Sequence, residues 1–112
     1  MPERRKMKSS PVTWDTVREI CLALPGTEES TSYGTPALKV RRKLFVRLRE
    51  EGDVIVVRIE LNDRAMRIAA DPDAFFVTDH YVPYPYILVR LSAVAKSDLS
   101  ELLTDAWRLV AP

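Results

Sequence analysis

Three β-prone runs, Ala37–Arg41, Leu44–Arg49 and Val54–Ile59, are separated only by the connections Arg41-Arg42-Lys43 and Glu50-Glu51-Gly52-Asp53. Connections this short leave no room for the crossover that parallel neighbours require, so the three runs form an antiparallel meander. A sheet of this kind must cover one face, and the flanking sequence supplies amphipathic helices to cover it.

Thr13 is placed to cap a first helix whose Trp14, Val17, Ile20, Cys21 and Leu24 recur at helical spacing, and Pro25-Gly26 stops it. From Thr27 to Pro36 the chain is polar and turn-rich, which predicts an ordered loop. Leu61–Ala70 turns helical, with Asn62 as the expected cap and Asp71-Pro72 as its end. Phe75–Thr78 and Tyr86–Val94 form a second strand pair across a long loop, Asp79 to Pro85. Asp98 with Glu101 has the pattern of a capping box, and Leu99, Leu102, Leu103, Ala106 and Val110 line one face of a closing helix. The resulting expectation is a single two-layer α+β domain over residues 12–112, in the order αβββαββα, with the helices on one face of an antiparallel sheet. Residues 1–11 read as a flexible basic leader.

Charge excludes a strongly cationic domain. The chain carries 17 Lys and Arg against 16 Asp and Glu, of which residues 1–8 hold four basic groups and one acidic. The remainder therefore has thirteen against fifteen, a formal −2, and no global field to steer it to an anionic partner. One cysteine, Cys21, rules out an internal disulfide and a Cys-rich zinc site and suits a reducing compartment, so the cytoplasm is the expected location. No secretory signal or membrane-spanning run is visible, and no metal or cofactor is expected.

Period-2 alternation sorts the strands into two faces. Leu44, Val46 and Leu48 are expected in the core, leaving Phe45, Arg47 and Arg49 on the other side; Arg58 and Arg90 fall on that second face too. Six of the eleven residues from Lys39 to Arg49 are basic (Lys39, Arg41, Arg42, Lys43, Arg47, Arg49) and none is acidic. A hairpin this basic can lie along a phosphate backbone, although arginine stems also commonly cover an exposed sheet face with their heads solvated. Tyr81, Tyr84 and Tyr86 beside His80 can stack on bases, bind a small aromatic ligand, or simply pack over the core. His80 is the only histidine and has no companion nucleophile or metal-ligand set in the sequence, so no residue is assigned a catalytic role.

The motifs Leu24-Pro25-Gly26, Ser32-Tyr33-Gly34-Thr35-Pro36-Ala37, Lys43-Leu44-Phe45-Val46, Ala70-Asp71-Pro72, Tyr84-Pro85-Tyr86, Leu88-Val89-Arg90-Leu91 and Leu102-Leu103-Thr104-Asp105-Ala106-Trp107 follow one another in an order that resembles the MmcQ/YjbR family. The resemblance spans Thr13 to Pro112. It implies a double-wing, secretion-chaperone-like domain and, by analogy of shape with a phage transcription factor, DNA binding. The sequence departs from that pattern at Thr78-Asp79-His80-Tyr81, where the resemblance leads one to expect an Asn-Lys-x-x-His-Trp-like segment.

Three functions follow as expectations. The first is DNA binding by backbone contacts from Lys39, Arg41, Arg42, Lys43, Arg47 and Arg49, with Arg58, Arg90 and Tyr84 as lesser contributors. The second is an interaction module that pairs its open sheet face or edge with a protein partner or a second copy. The third is a small-ligand pocket where Tyr33, His80 and Tyr81 converge.

Overall fold

The computed structural model describes residues 11–111, so the leader expected over residues 1–11 lies outside the described residues except for Pro11. Helix α1 (Trp14–Leu22) leads to strands β1 (Thr27–Ser32), β2 (Thr35–Val40), β3 (Lys43–Leu48) and β4 (Val54–Arg58). Helix α2 (Leu61–Ala70), strands β5 (Phe75–Phe76) and β6 (Tyr86–Arg90), and helix α3 (Lys96–Val110) complete the fold. The strands make one sheet in the order β1-β2-β3-β4-β6-β5, with every neighbouring pair antiparallel.

The α+β architecture is as expected, with one strand more. The segment Thr27–Ser32, expected as part of a loop, is the edge strand β1, so the order is αββββαββα. Its side chains are polar, as a strand held by main-chain bonds to a single neighbour permits. Arg18 of α1 fastens β1 to the helix layer, donating from Nε and Nη2 to the two Glu29 carboxylate oxygens at 2.9 and 3.0 Å. That pair raises the Arg18 pKa and lowers that of Glu29.

Helix boundaries differ in detail. The Thr13 cap is as expected, and its N–H donates to Thr16 Oγ1 at 3.2 Å. Glu60 rather than Asn62 occupies the N-cap position of α2 and Ala95 that of α3, and neither side chain makes a capping hydrogen bond. Asp98 thus falls inside the first turn of α3, where its charge still suits the helix N-terminus.

Leu38, Phe45, Ile55 and Ile87 of the sheet meet Val17 and Cys21 of α1 and Leu99, Leu102, Leu103 and Ala106 of α3 in a continuous core, against which α2 places Ile68. One irregularity corrects the predicted faces. Leu38 pairs with Val46 while Lys39 pairs with Leu44, which leaves Phe45 as an extra residue in β3. This bulge sends Phe45, with Val46, into the core and turns Leu44 to the open face, the reverse of the alternation reading.

Candidate functional site

Beyond the bulge, the open face has a row of inward-lying residues: Ala37, Arg47, Val56 and Leu88 are in register across four strands. All four are buried, and two pieces of the chain border this face beside Arg47 and Val56. One is the turn between β1 and β2, carrying Tyr33. The other is the loop between β5 and β6, carrying Thr78, His80, Tyr81 and Tyr84. Between them lies a groove of about 750 Å³, with Leu44, Arg47 and Val56 on its floor and Tyr33 and Tyr81 among its walls.

Arg47 is the centre of this groove and is only 7% exposed. It donates to Thr35 Oγ1 at 3.3 Å and the Leu48 carbonyl at 3.4 Å from Nη1, and to the Tyr81 hydroxyl at 3.1 Å from Nη2. Its Cζ stands 5.1 Å from the centroid of the Tyr33 ring. No carboxylate among the described residues comes within salt-bridge distance of it, whereas Arg18, Arg49, Arg67 and Arg108 all have one. A buried cation without a counter-charge loses several kcal/mol of hydration, which hydrogen bonds and a cation–π contact offset only in part.

The tyrosine wall is held from outside. Arg64 of α2 donates from Nη1 to the carbonyls of Tyr81, Tyr84 and Tyr86 at 3.3, 2.9 and 3.1 Å, and from Nη2 to that of Val82 at 2.9 Å. Pro83 and Pro85 lack N–H groups; the Tyr81 and Tyr84 carbonyls accept from the Tyr84 and Tyr86 N–H groups at 2.9 and 2.8 Å, and the guanidinium adds donors that tie these carbonyls to those of Val82 and Tyr86. Within the wall His80 meets Tyr81 edge-on at 4.8 Å, and Tyr81 meets Tyr86 at 6.1 Å. Sequence reading brought Tyr33, His80 and Tyr81 together but missed Arg64; the proline-rich loop, short of donors, was the available signal.

The cations expected to form one phosphate-binding hairpin are dispersed. Arg41 and Arg42 are the exposed tip between β2 and β3, followed by exposed Lys43. Lys39 is half-buried and faces Glu28 across the β1–β2 pair. Arg47 is buried in the groove, which corrects its expected place on a solvated face. Arg49 is ion-paired with Glu51 at 3.1 Å. Arg90 lies over the Phe76 ring at 4.1 Å and donates to the Asp73 carbonyl at 2.9 Å, a packing role. Arg58 is half-buried beside Tyr86, and its Nε is buried without a hydrogen-bond partner among the described residues.

Both hairpin tips are conformationally unusual. Tyr33-Gly34 and Arg41-Arg42 are two-residue turns whose central residues have φ of 54° and 79°, and of 52° and 72°. Positive φ at both positions is what a type I′ turn demands, and Asn-Gly meets that demand best. Tyr33, Arg41 and Arg42 are the non-glycine residues with positive φ among those described.

Among the described residues no group of three or more His, Cys, Asp or Glu side chains is placed to hold a metal ion, and no helix is long and apolar enough to cross a membrane. A smaller cleft of about 450 Å³ lies between Pro25-Gly26, Val40-Arg41 and the end of α3, where Trp107 Nε1 donates to the Pro25 carbonyl at 2.8 Å.

The YjbR family model matches residues 22–109, from the end of α1 almost to the end of α3. The chain belongs to the YjbR family. Among its relatives are the uncharacterized proteins Rv2570 of Mycobacterium tuberculosis (strain H37Rv) and Mb2600 of Mycobacterium bovis, each 34% identical to it across 89% of either chain. The crystal structure of Deinococcus radiodurans protein DR2400, described as a DUF419 domain, has the same fold, with a TM-score of 0.76 at 20% identity over 88% of this chain and 78% of that one.

Proposed function

We propose that this YjbR-family protein is a cytoplasmic DNA-binding protein that contacts backbone phosphates with the tip of its β2–β3 hairpin, through Arg41, Arg42 and Lys43, with Lys39 behind them. The observation that carries this reading is the conformation of the tip. Two adjacent arginines hold left-handed backbone angles that cost an L-residue about 1 kcal/mol or more each. Their side chains are exposed and have no carboxylate partner among the described residues, so no ion pair there offsets that cost. A local rule broken without a structural return is expected where a surface is used.

Phosphate contacts give modest, sequence-tolerant affinity with a steep salt dependence, and the tip has no arrangement suited to reading base edges. Fluorescence anisotropy of a labelled duplex, titrated at low and moderate salt, tests this. Binding is expected to persist in a chain lacking residues 1–9 and to fall in R41N/R42G, with a salt slope shallower by about 2. Unchanged affinity in R41N/R42G would remove the hairpin from the reading.

A second reading draws on β1, a six-residue edge strand whose outer main-chain groups face no neighbouring strand among the described residues. A protein partner or a second copy could extend the sheet there. A complex that survives high salt in sizing chromatography, in a protein that fails to bind DNA, would favour it.

A further inference from the structure

We propose that the groove on the open sheet face is a binding site for a small aromatic carboxylate, whose carboxylate takes the unused donors of Arg47 while its ring stacks against Tyr33. This goes beyond DNA binding and rests on different residues.

Arg47 is 7% exposed and lacks a carboxylate partner among the described residues, and a buried cation calls for a counter-charge. The groove above it is where one can come from. A guanidinium has five N–H donors; Thr35, Leu48 and Tyr81 take three of Arg47's, leaving the Nε hydrogen and one on Nη2. Arg18 uses that same pair of nitrogens to hold both oxygens of Glu29 in this protein. The remaining donors of Arg47 therefore suit the two oxygens of a carboxylate. Arg49 and Glu50 line the groove as well; Arg49 is paired with Glu51, which leaves the Glu50 charge to disfavour a ligand carrying a second negative charge, such as a phosphate dianion.

Tyr33 is 84% exposed, yet it occupies a left-handed turn position that Asn would fill with less strain, and its ring already leans toward the Arg47 guanidinium. An aromatic face kept in solvent at such a position is suited to stacking. Tyr81 closes the groove opposite, with its hydroxyl bonded to Arg47 and its backbone fixed by Arg64, so the walls are set before any ligand arrives. The volume, about 750 Å³, is in the range of small-molecule sites.

The test is a titration of the full chain, followed by two-dimensional NMR, with 4-hydroxybenzoate and indole-3-acetate as probes and phenol and indole as their neutral counterparts. The expected result is saturable shifts of the Tyr33 and Tyr81 amides and the Arg47 Nε–H with at least one acid, and affinity weaker by about ten-fold or more for the matching neutral compound. Tyr33→Asn, which suits its turn and leaves the core alone, should keep the fold and weaken the acid by several-fold; Arg47→Met should abolish binding. Equal binding of acid and neutral compound, or no shift at these groups with either acid, would overturn the proposal. Tighter binding of adenosine monophosphate than of both acids would overturn the assignment to a carboxylate. R41N/R42G should bind the acids like the wild type, so failure of the DNA reading and failure of this one are told apart.

Discussion

Arg64 and Cys21 show how position decides what a single side chain does. Arg64 gives charge-assisted hydrogen bonds to the carbonyls of Tyr81, Val82, Tyr84 and Tyr86. Those of Tyr81 and Tyr84 also accept backbone N–H groups, and three of the bonds share the two hydrogens of Nη1, so each contributes less than the ~1.5 kcal/mol of an unshared charged bond. Because the guanidinium is partly exposed, the net effect is smaller than the sum. Arg64→Ala is expected to destabilise the domain by about 2 kcal/mol and to speed hydrogen exchange at the Tyr84 and Tyr86 amides; exchange left unchanged would show that the prolines alone hold the loop.

Cys21 is buried among core residues, and desolvation pushes its thiol up to about 12. In the unfolded chain the thiol ionises near its ordinary value, so the folded state holds the proton more tightly. The stability this contributes is complete below about pH 9 and is lost as pH rises toward 12, at up to about 1.4 kcal/mol per pH unit. Urea unfolding of wild type and Cys21→Ala at pH 8 and pH 10 reads it directly: the advantage of the wild type should shrink at the higher pH. A constant difference would mean that the thiol ionises as readily folded as unfolded.

Among the elements, the two hairpins carry the most specific consequence. β1–β2 and β2–β3 close through two-residue turns with positive φ throughout, yet three of the four turn residues are not glycine. Replacing Arg41-Arg42 with Asn-Gly should stabilise the domain by about 1 kcal/mol, since the new pair adopts these angles readily, and so raise the melting temperature of R41N/R42G by a few degrees. Tyr33→Asn should raise the melting temperature less, because it relieves the turn but gives up the cation–π contact with Arg47. A fall in melting temperature for both variants would mean that the native side chains hold the turns and that the left-handed positions are not strained.

At the scale of the whole molecule, charge and distance matter most. Thirteen basic and fifteen acidic residues beyond residue 8 give no long-range attraction to an anion, so DNA affinity depends on a few local contacts. With three phosphates engaged, a four-fold rise in salt should lower the affinity of a chain lacking residues 1–9 by about forty-fold. A much steeper loss would point to additional contacts elsewhere on the domain. The Tyr33 turn and the Arg41-Arg42 turn stand at opposite ends of β2, six residues long and so about 20 Å apart. Ligand in the groove and DNA at the tip need not compete.

The antiparallel meander, the three helices and the apolar stripe of α3 were legible because they rest on local facts: connection length, helical spacing and the proline and glycine stops. Tyr33, His80 and Tyr81 could be placed near one another because both of their loops adjoin the same sheet. What only the tertiary structure decided depends on pairing and cover. β1 has no apolar signature, and its strand comes from hydrogen bonds to β2. Phe45 and Leu44 exchanged faces because a bulge adds one residue to a period of two, and no alternation pattern marks where that occurs. Arg47 reads like its neighbours in the basic run, yet it is the one the Tyr33 turn and the Tyr81 loop fold over. Burial of a charge is set by what lies above it, and residues distant in the chain supply that cover.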